Sequence, residues 1–328
     1  MMIRRREFIS LSVSVATACA AGRYADRTAG AVQTEIPIID THQHLWDLVD
    51  FQPPWLRGAD AKIAAKHSIS DFEAETAGLN VTKAVYMEVD VAPEDQNKEA
   101  DYVLSLIKTG KSPTVAAVIS GRPNSSHFAS YTHRHRDNSL IKGVRQVLHA
   151  ESAQRGLCLQ PQFVKSMHML GEMNKSFDLC MRPTELSDGA VLAEKCPDTR
   201  FIVDHCGNAD PYAWFKAEKQ AKAPLHSVEQ WQRDMAKLAE LPNVICKISG
   251  IVARAPQGWS SEMLAPAINF CLDQFGPNRV VFGGDWPVCK LGASYAQWVR
   301  GLKEIVSQRP HDEQLRLFAK NAEQFYKV

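Results

Sequence analysis

From residue 36 onward, short runs of apolar and β-branched residues alternate with longer stretches whose apolar positions recur at three and four. The short runs read as strands: "IPIID" (36–40), "KAVYMEV" (83–89), "TVAAVIS" (114–120), "IKGVRQV" (141–147), "FDLCM" (177–181), "RFIVD" (200–204), "NVICKIS" (243–249) and "RVVFGGD" (279–285). The stretches between them, such as "PEDQNKEADYVLSLIKTG", "SVEQWQRDMAKLAEL" and "EMLAPAINFCLDQFG", read as amphipathic helices, several of them ending at Gly or before Pro. The tail "DEQLRLFAKNAEQFYKV" reads as a last amphipathic helix. Strands that alternate with helices pair in parallel through right-handed crossovers. Eight such units predict an α/β fold, the (β/α)8 TIM barrel. An open doubly wound sheet is the alternative, but no Gly-x-Gly-x-x-Gly follows the first strand.

In a barrel, chemistry gathers at the C-terminal ends of the strands. The first strand runs into "IIDTHQHLWD", which puts His42 and His44 on one face at its end, with Asp40 one step behind. The eighth strand ends at Asp285, and closure sets it beside the first. Period-two phasing, with the polar set turned inward, adds His205, Glu88, Arg145, Arg182 and Lys247 to the mouth. It groups His205 with Phe201 and Val203, and Glu88 with Tyr86 and Ala84, leaving Val85 and Met87 to face the helices. Three His and one Asp (His42, His44, His205, Asp285) form a donor set suited to Zn²⁺ with a position open for water. Each residue also has a plainer role open to it. His205 is then a hydrogen-bonded core histidine, Arg145 and Lys247 pair with Glu88 or Asp178, and Trp46 and Trp286 pack.

The formal net charge of the 328 residues is +1, without a basic run or an acidic tail, so nothing points to nucleic acid. No apolar segment reaches the roughly 18–20 residues of a membrane span. The N-terminus, "RRREFISLSVSVATACAAG", has the arginines, mild apolar run and small residues of an export signal. Arg5–Arg6–Glu7–Phe8–Ile9 resembles the twin-arginine motif. The expected division is a leader at 1–22, a linker at 23–34 and the barrel at 35–328, with the mature chain in the periplasm or otherwise exported. A lipoprotein anchor at Cys19 is the lesser alternative. Of the eight cysteines, those beyond the leader read as buried thiols and not as a disulfide framework.

Taken together, "IIDTHQHLWD", "KGVRQVLH" with "FDLC", "VDHCGNADP", "NVICKISG", "RVVFGGDWPV" and "NAEQFY" resemble the amidohydrolase-related family, in the branch of L-fuconolactonases and 2-pyrone-4,6-dicarboxylate lactonases. The resemblance implies a TIM barrel that hydrolyses a sugar or dicarboxylate lactone, with His42, His44, His205 and Asp285 as the reaction centre. It implies one divalent metal, zinc being the expected ion, or none. Three features depart from the pattern: Gly283-Gly284 stands where Gly-Ser is usual, the fifth strand ends without His, and the fourth offers neither a Lys bridge nor a Glu ligand. Two metals are therefore not expected. In this reading Asp285 is the general base, and Arg145, Arg182, Lys247 and Glu88 bind a small-molecule substrate. The chain is a possible homo-oligomer. The rivals are a decarboxylase or hydratase of an acidic substrate on the same barrel, and a non-catalytic periplasmic binding protein.

Overall fold

The computed structural model describes residues 35–214 and 223–328. The expected leader and linker lie outside the described residues. The eight strands are β1 (Ile38–Gln43), β2 (Val81–Met87), β3 (Thr114–Ser120), β4 (Ile141–Val147), β5 (Ser176–Cys180), β6 (Arg200–Val203), β7 (Val244–Ile248) and β8 (Val280–Phe282). They lie side by side in chain order, and every adjacent pair is parallel. This is the expected (β/α)8 barrel. Among the described residues no helix is long and apolar enough to cross a membrane.

Alternation along the strands makes two cores. Ile39, Val85, Met87, Ala116, Val118, Ile202, Ile245 and Val281 fill the barrel interior. Their neighbours, such as Tyr86, Ile119, Leu179, Phe201, Val203 and Phe282, belong to the larger layer beneath the helices. Two phasings expected from the sequence are thus reversed. Val85 and Met87 point inward, and Tyr86 points out, its hydroxyl donating to Glu99 of the helix Gln96–Lys108 at 3.1 Å. Phe201 and Val203 likewise face the helices. The C-terminal segment is not one regular α-helix. It runs His311–Leu315, then a π turn Arg316–Lys320, then Asn321–Tyr326. A π turn inserts one residue into the helical period. Leu317 and Phe318 therefore pack in the outer layer, while Ala319, Ala322 and Tyr326 join the interior cluster.

The seam between β1 and β8 lacks a full backbone ladder. It is joined by Thr41 Oγ1 donating to Phe282 O at 2.6 Å, by His44 N donating to Trp286 O at 2.8 Å, and by a Gln43–Trp286 bridge. The Asp40 carboxylate supplies the rest. This side chain keeps the outward parity of Ile38, and the register shift that follows it, between Asp40 and Gln43, separates it from the histidines that alternation would place on the same face. Its Oδ1 accepts from His42 N at 2.9 Å and from Gly284 N at 2.7 Å, and its Oδ2 accepts from the Tyr295 hydroxyl at 3.0 Å. Tyr295 opens the helix Tyr295–Ile305, which is fixed by a capping box between Ser294 and Gln297. The Tyr295 ring and Asp40 leave no room for a Cβ at residue 284, which accounts for glycine there.

Asp40→Ala is expected to lower the free energy of unfolding by roughly 3–5 kcal/mol, because each buried donor left without a partner costs about 1–3 kcal/mol. Asp40→Asn keeps Oδ1 and is expected to cost less than about half as much. Denaturant unfolding of both variants checks this. Equal losses would mean that the seam does not depend on the two Oδ1 bonds.

Candidate active site

Three strand ends bring the central residues together. At β1, the ring of His44 holds Nδ1 at 2.9 Å from Met87 O. A carbonyl only accepts, so Nδ1 carries a proton and Nε2 is the nitrogen turned to the mouth. That Nε2 lies 3.4 Å from Asp285 Oδ1. His42 Nε2 lies 3.6 Å from the same oxygen and 3.1 Å from Arg145 Nη1. A guanidinium only donates, so His42 Nε2 accepts and its Nδ1 is the protonated nitrogen.

His205 reaches the mouth by a different device. Strand β6 ends at Val203, and His205, Cys206, Gly207 and Asn208 follow with φ of 55°, 52°, 65° and 52°. Left-handed residues ordinarily occur singly and cost about 1–2 kcal/mol each when they are not glycine. Here the turn is over-determined. Gly207 N donates to Asp204 O at 2.9 Å, Trp231 Nε1 to Cys206 O at 3.0 Å, and Asn208 Nδ2 to Met181 O at 2.7 Å. Gly207 is needed twice, for its φ and because a Cβ would meet Met235 Sδ at 2.6 Å. The turn swings His205 to within 4.5 Å of His42, ring centre to ring centre, with Nδ1 at 2.9 Å from Ser249 Oγ.

Beneath these rings lies a buried ionic network. Arg145 Nε bonds Glu88 Oε1 at 2.6 Å, and its Nη2 donates to Glu88 O at 2.7 Å. Lys247 Nζ lies 2.7 Å from Asp178 Oδ2 and 3.1 Å from Asp204 Oδ1. Burial opposes the charge on Asp204, but Lys247, His205 and Arg145 outweigh it and hold the carboxyl below its usual range. Burial pushes Asp178 up to about 7 despite Lys247. Burial also holds His42 well below the ordinary histidine value, with Lys247 and His205 adding to the effect, and it lowers His205.

Above the network opens a cavity of about 260 Å³. Of the sequence-predicted residues, His44, His205, Asp285 and Arg145 line it. His42, Glu88 and Lys247 are fully buried behind that lining. Arg182 stands apart from the cavity, bonded to Glu185 Oε2 at 2.9 Å, to Ala153 O at 2.7 Å and to Ala150 O. Trp46 and Trp286 are packed, each at most 1 % exposed, and Trp55 lines the cavity instead. The lining also includes Asp90, His149, Asn208 and Arg254, none of which the sequence singled out. Arg254 closes a 3-10 turn, Ile251–Arg254, where no periodicity points at it. His149 was within reach of the phasing argument, two positions beyond Val147 and four beyond Arg145.

The donor set accommodates one divalent cation. Ligand atoms of His42, His205 and Asp285 lie within 4.8 Å of one another. Imidazole nitrogen and carboxylate oxygen suit a zinc-like ion. Burial shifts His42 and His205 toward the uncharged form, the one that ligation requires. Arg145 pairs with Glu88 and Asp204, and Lys247 with Asp178 and Asp204, so among the described residues the ionic network holds three carboxyl groups and two cations. An ion bound through His42 Nε2 has to displace the hydrogen bond from Arg145.

Comparison with known proteins agrees with this architecture. A family model described as amidohydrolase matches residues 39–328. An uncharacterized protein, y4mH, of Sinorhizobium fredii is 28% identical over 312 residues, 90% of this chain and 100% of that one. An L-fucono-1,5-lactonase of Burkholderia multivorans is 27% identical over 265 residues, 78% of this chain and 84% of that one. The crystal structure of an amidohydrolase from Burkholderia multivorans with bound zinc superimposes with a TM-score of 0.76 at 23% identity, covering 89% of this chain and 99% of that one. With strand order, His-x-His, His205 and Asp285 in place, the chain belongs to the amidohydrolase family.

Proposed function

We propose that this amidohydrolase-superfamily hydrolase opens the ring of a polyhydroxylated lactone by attack of water. The observation that carries the reading is the Asp285 carboxylate, exposed to the cavity and flanked by His44 and His42 at 3.4 and 3.6 Å. Asp285 takes a proton from water as the oxygen attacks the lactone carbonyl carbon. The tetrahedral adduct then breaks its ring C–O bond, and the same proton goes to the departing alkoxide, giving the open hydroxy acid. His205, held by Ser249, faces the cavity in which the carbonyl would sit. A zinc ion held by His42, His44, His205 and Asp285 would, when bound, polarise that carbonyl.

The lining supports a sugar lactone over a dicarboxylate. Arg145, Arg182 and Lys247 have their donors engaged within the protein. Arg254 lines the cavity and, among the described residues, has no carboxylate partner, only Asn208 Oδ1 at 3.1 Å. Substrate binding therefore falls first to Arg254. A dicarboxylate would bring two charges to a cavity whose described lining offers Arg254 as a cation without a carboxylate partner, and would face Asp90 and Asp285. A polyol instead finds acceptors in those carboxylates and an aromatic wall in Trp55, whose Nε1 is tied to Val89 O at 2.7 Å. The L-fucono-1,5-lactonase relative supports the same class.

Asp285→Asn is expected to lower turnover of a sugar-acid lactone by about 10²–10⁴-fold with an unchanged melting curve. A variant that keeps more than about half the rate would remove Asp285 as the base. Arg254→Ala is expected to raise KM by about 10–150-fold, the loss of one charge-assisted hydrogen bond, with a smaller change in kcat. Michaelis constants for neutral and carboxylated lactones should show the neutral class preferred. Preference for a dicarboxylate would overturn the sugar-lactone reading. Zinc at about 100 times its dissociation constant should stabilise metal-stripped protein by about 2.7 kcal/mol, and His42→Ala with His205→Ala should lose that gain.

A further inference from the structure

We propose that His149 is a hydrogen-bond donor to the ester group of the substrate, and that the Cys180 thiol holds its ring in the tautomer this needs. The proposal rests on the lactonase reading for its substrate but not for its geometry. Arg145 and Val147 of β4 line the cavity, and His149 continues the same row just past the strand end. That end is fixed to β5 by Leu148 N donating to Cys180 O at 2.8 Å. Cys180 is the last residue of β5 and is 1% exposed. Its Sγ lies 3.3 Å from His149 Nδ1 and 3.9 Å from Arg145 Nη1.

The donor inventory fixes the direction of the contact with Arg145, and the proposal assigns the direction of the contact with His149. Arg145 has hydrogens to give and no lone pair, so Sγ accepts from it. The single thiol hydrogen is then free, and on the proposal it points at His149 Nδ1, which accepts. A neutral imidazole that accepts at Nδ1 carries its proton on Nε2. Nε2 has no protein partner among the described residues, while the ring borders the cavity. The chain of contacts runs Glu88, Arg145, Cys180, His149, from the buried ion pair out to the substrate space.

Burial, with Arg254 and His205 nearby, keeps the His149 ring uncharged, down at about 3, and burial likewise keeps Cys180 a thiol. The pair is therefore not a thiolate–imidazolium nucleophile, although it has the residues of one. A fixed, uncharged N–H suits an oxygen on which negative charge develops as water attacks.

The first measurement needs no turnover. Imidazole ¹⁵N shifts of the wild-type protein should show His149 with Nδ1 unprotonated and Nε2 protonated. Cys180→Ala should give a tautomer mixture, and Cys180→Ser, which keeps a hydroxyl donor, should restore the wild-type pattern. The second uses a lactone that wild type hydrolyses. His149→Ala should lose about 10²-fold in kcat, as for loss of one donor to a developing oxyanion, and His149→Gln, which keeps an N–H, less than about 10-fold. Cys180→Ser should stay within about threefold of wild type and Cys180→Ala should fall between the two. Protonation at Nδ1, or a His149→Ala kcat within about threefold of wild type, would overturn the proposal. If wild type turns over no lactone, the lactonase reading fails by itself, and the tautomer measurement still decides the role of Cys180.

Discussion

The site depends first on how β1 and β8 meet. These two strands carry the residues with the densest chemistry, and they are the pair with the weakest backbone ladder. One carboxylate, Asp40, makes up for it by accepting from backbone donors on both strands at once, His42 N and Gly284 N. The donors belong to the residue that carries one imidazole and to the residue just before Asp285. The bonds that close the barrel therefore also set the spacing between His42 and Asp285. Burial raises the Asp40 carboxyl above its usual range, and the bonds from Gly284 and His42 pull the other way, as expected for an acceptor sealed inside protein. The Tyr295 hydroxyl fixes the second oxygen and ties the seam to an outer helix.

A second constraint lies below the cavity. Two cations and several carboxyl groups share a volume from which water is excluded, and isolated buried charges of this kind are costly. They persist because nearly every one touches an opposite charge. Arg145 is the hub, in contact with Glu88, Asp204, His42 and Cys180. Its role is closer to that of an internal counter-ion than of a substrate clamp. It holds His42 in one tautomer and, through Cys180, connects to His149. On the proposed reading, specificity is left to Arg254, Asp90, Asn208 and Trp55, which line the cavity from loops and turns around the mouth. That division, chemistry on strand ends and selection on loops, is general for barrels.

The barrel was legible in the sequence because all eight strands are apolar runs bounded by polar residues, and barrel strands must be apolar on at least one face. The gathering of His42, His44, His205 and Asp285 was legible because all four stand at or just beyond strand ends, which meet at one end of a barrel. The detail that failed was side-chain phasing at those same ends. Alternation holds only while the chain stays extended. In β1 Asp40 keeps the outward parity of Ile38, and the register shift after it breaks that parity before His42 and His44. In β2 the strand stops at Met87, so Glu88 reaches Arg145 although its parity matches the outward Tyr86. In β6 the left-handed turn carries His205 to the mouth although Phe201 and Val203 face the helices. Arg182 was drawn in by parity with Asp178 and Cys180, but its partner is the local Glu185, three residues on. Arg254 had no pattern to reveal it, since a short 3-10 turn repeats nothing.

The central claim, that Asp285 activates water and does not itself attack the lactone, is tested most directly by one turnover in ¹⁸O-enriched water with enzyme in excess over a sugar-acid lactone. Attack by activated water predicts one ¹⁸O in the carboxylate of the first hydroxy acid released, with none in the new hydroxyl group. Unlabelled product from that first turnover, with ¹⁸O found in the side chain of Asp285, would show a covalent acyl-enzyme and contradict the account.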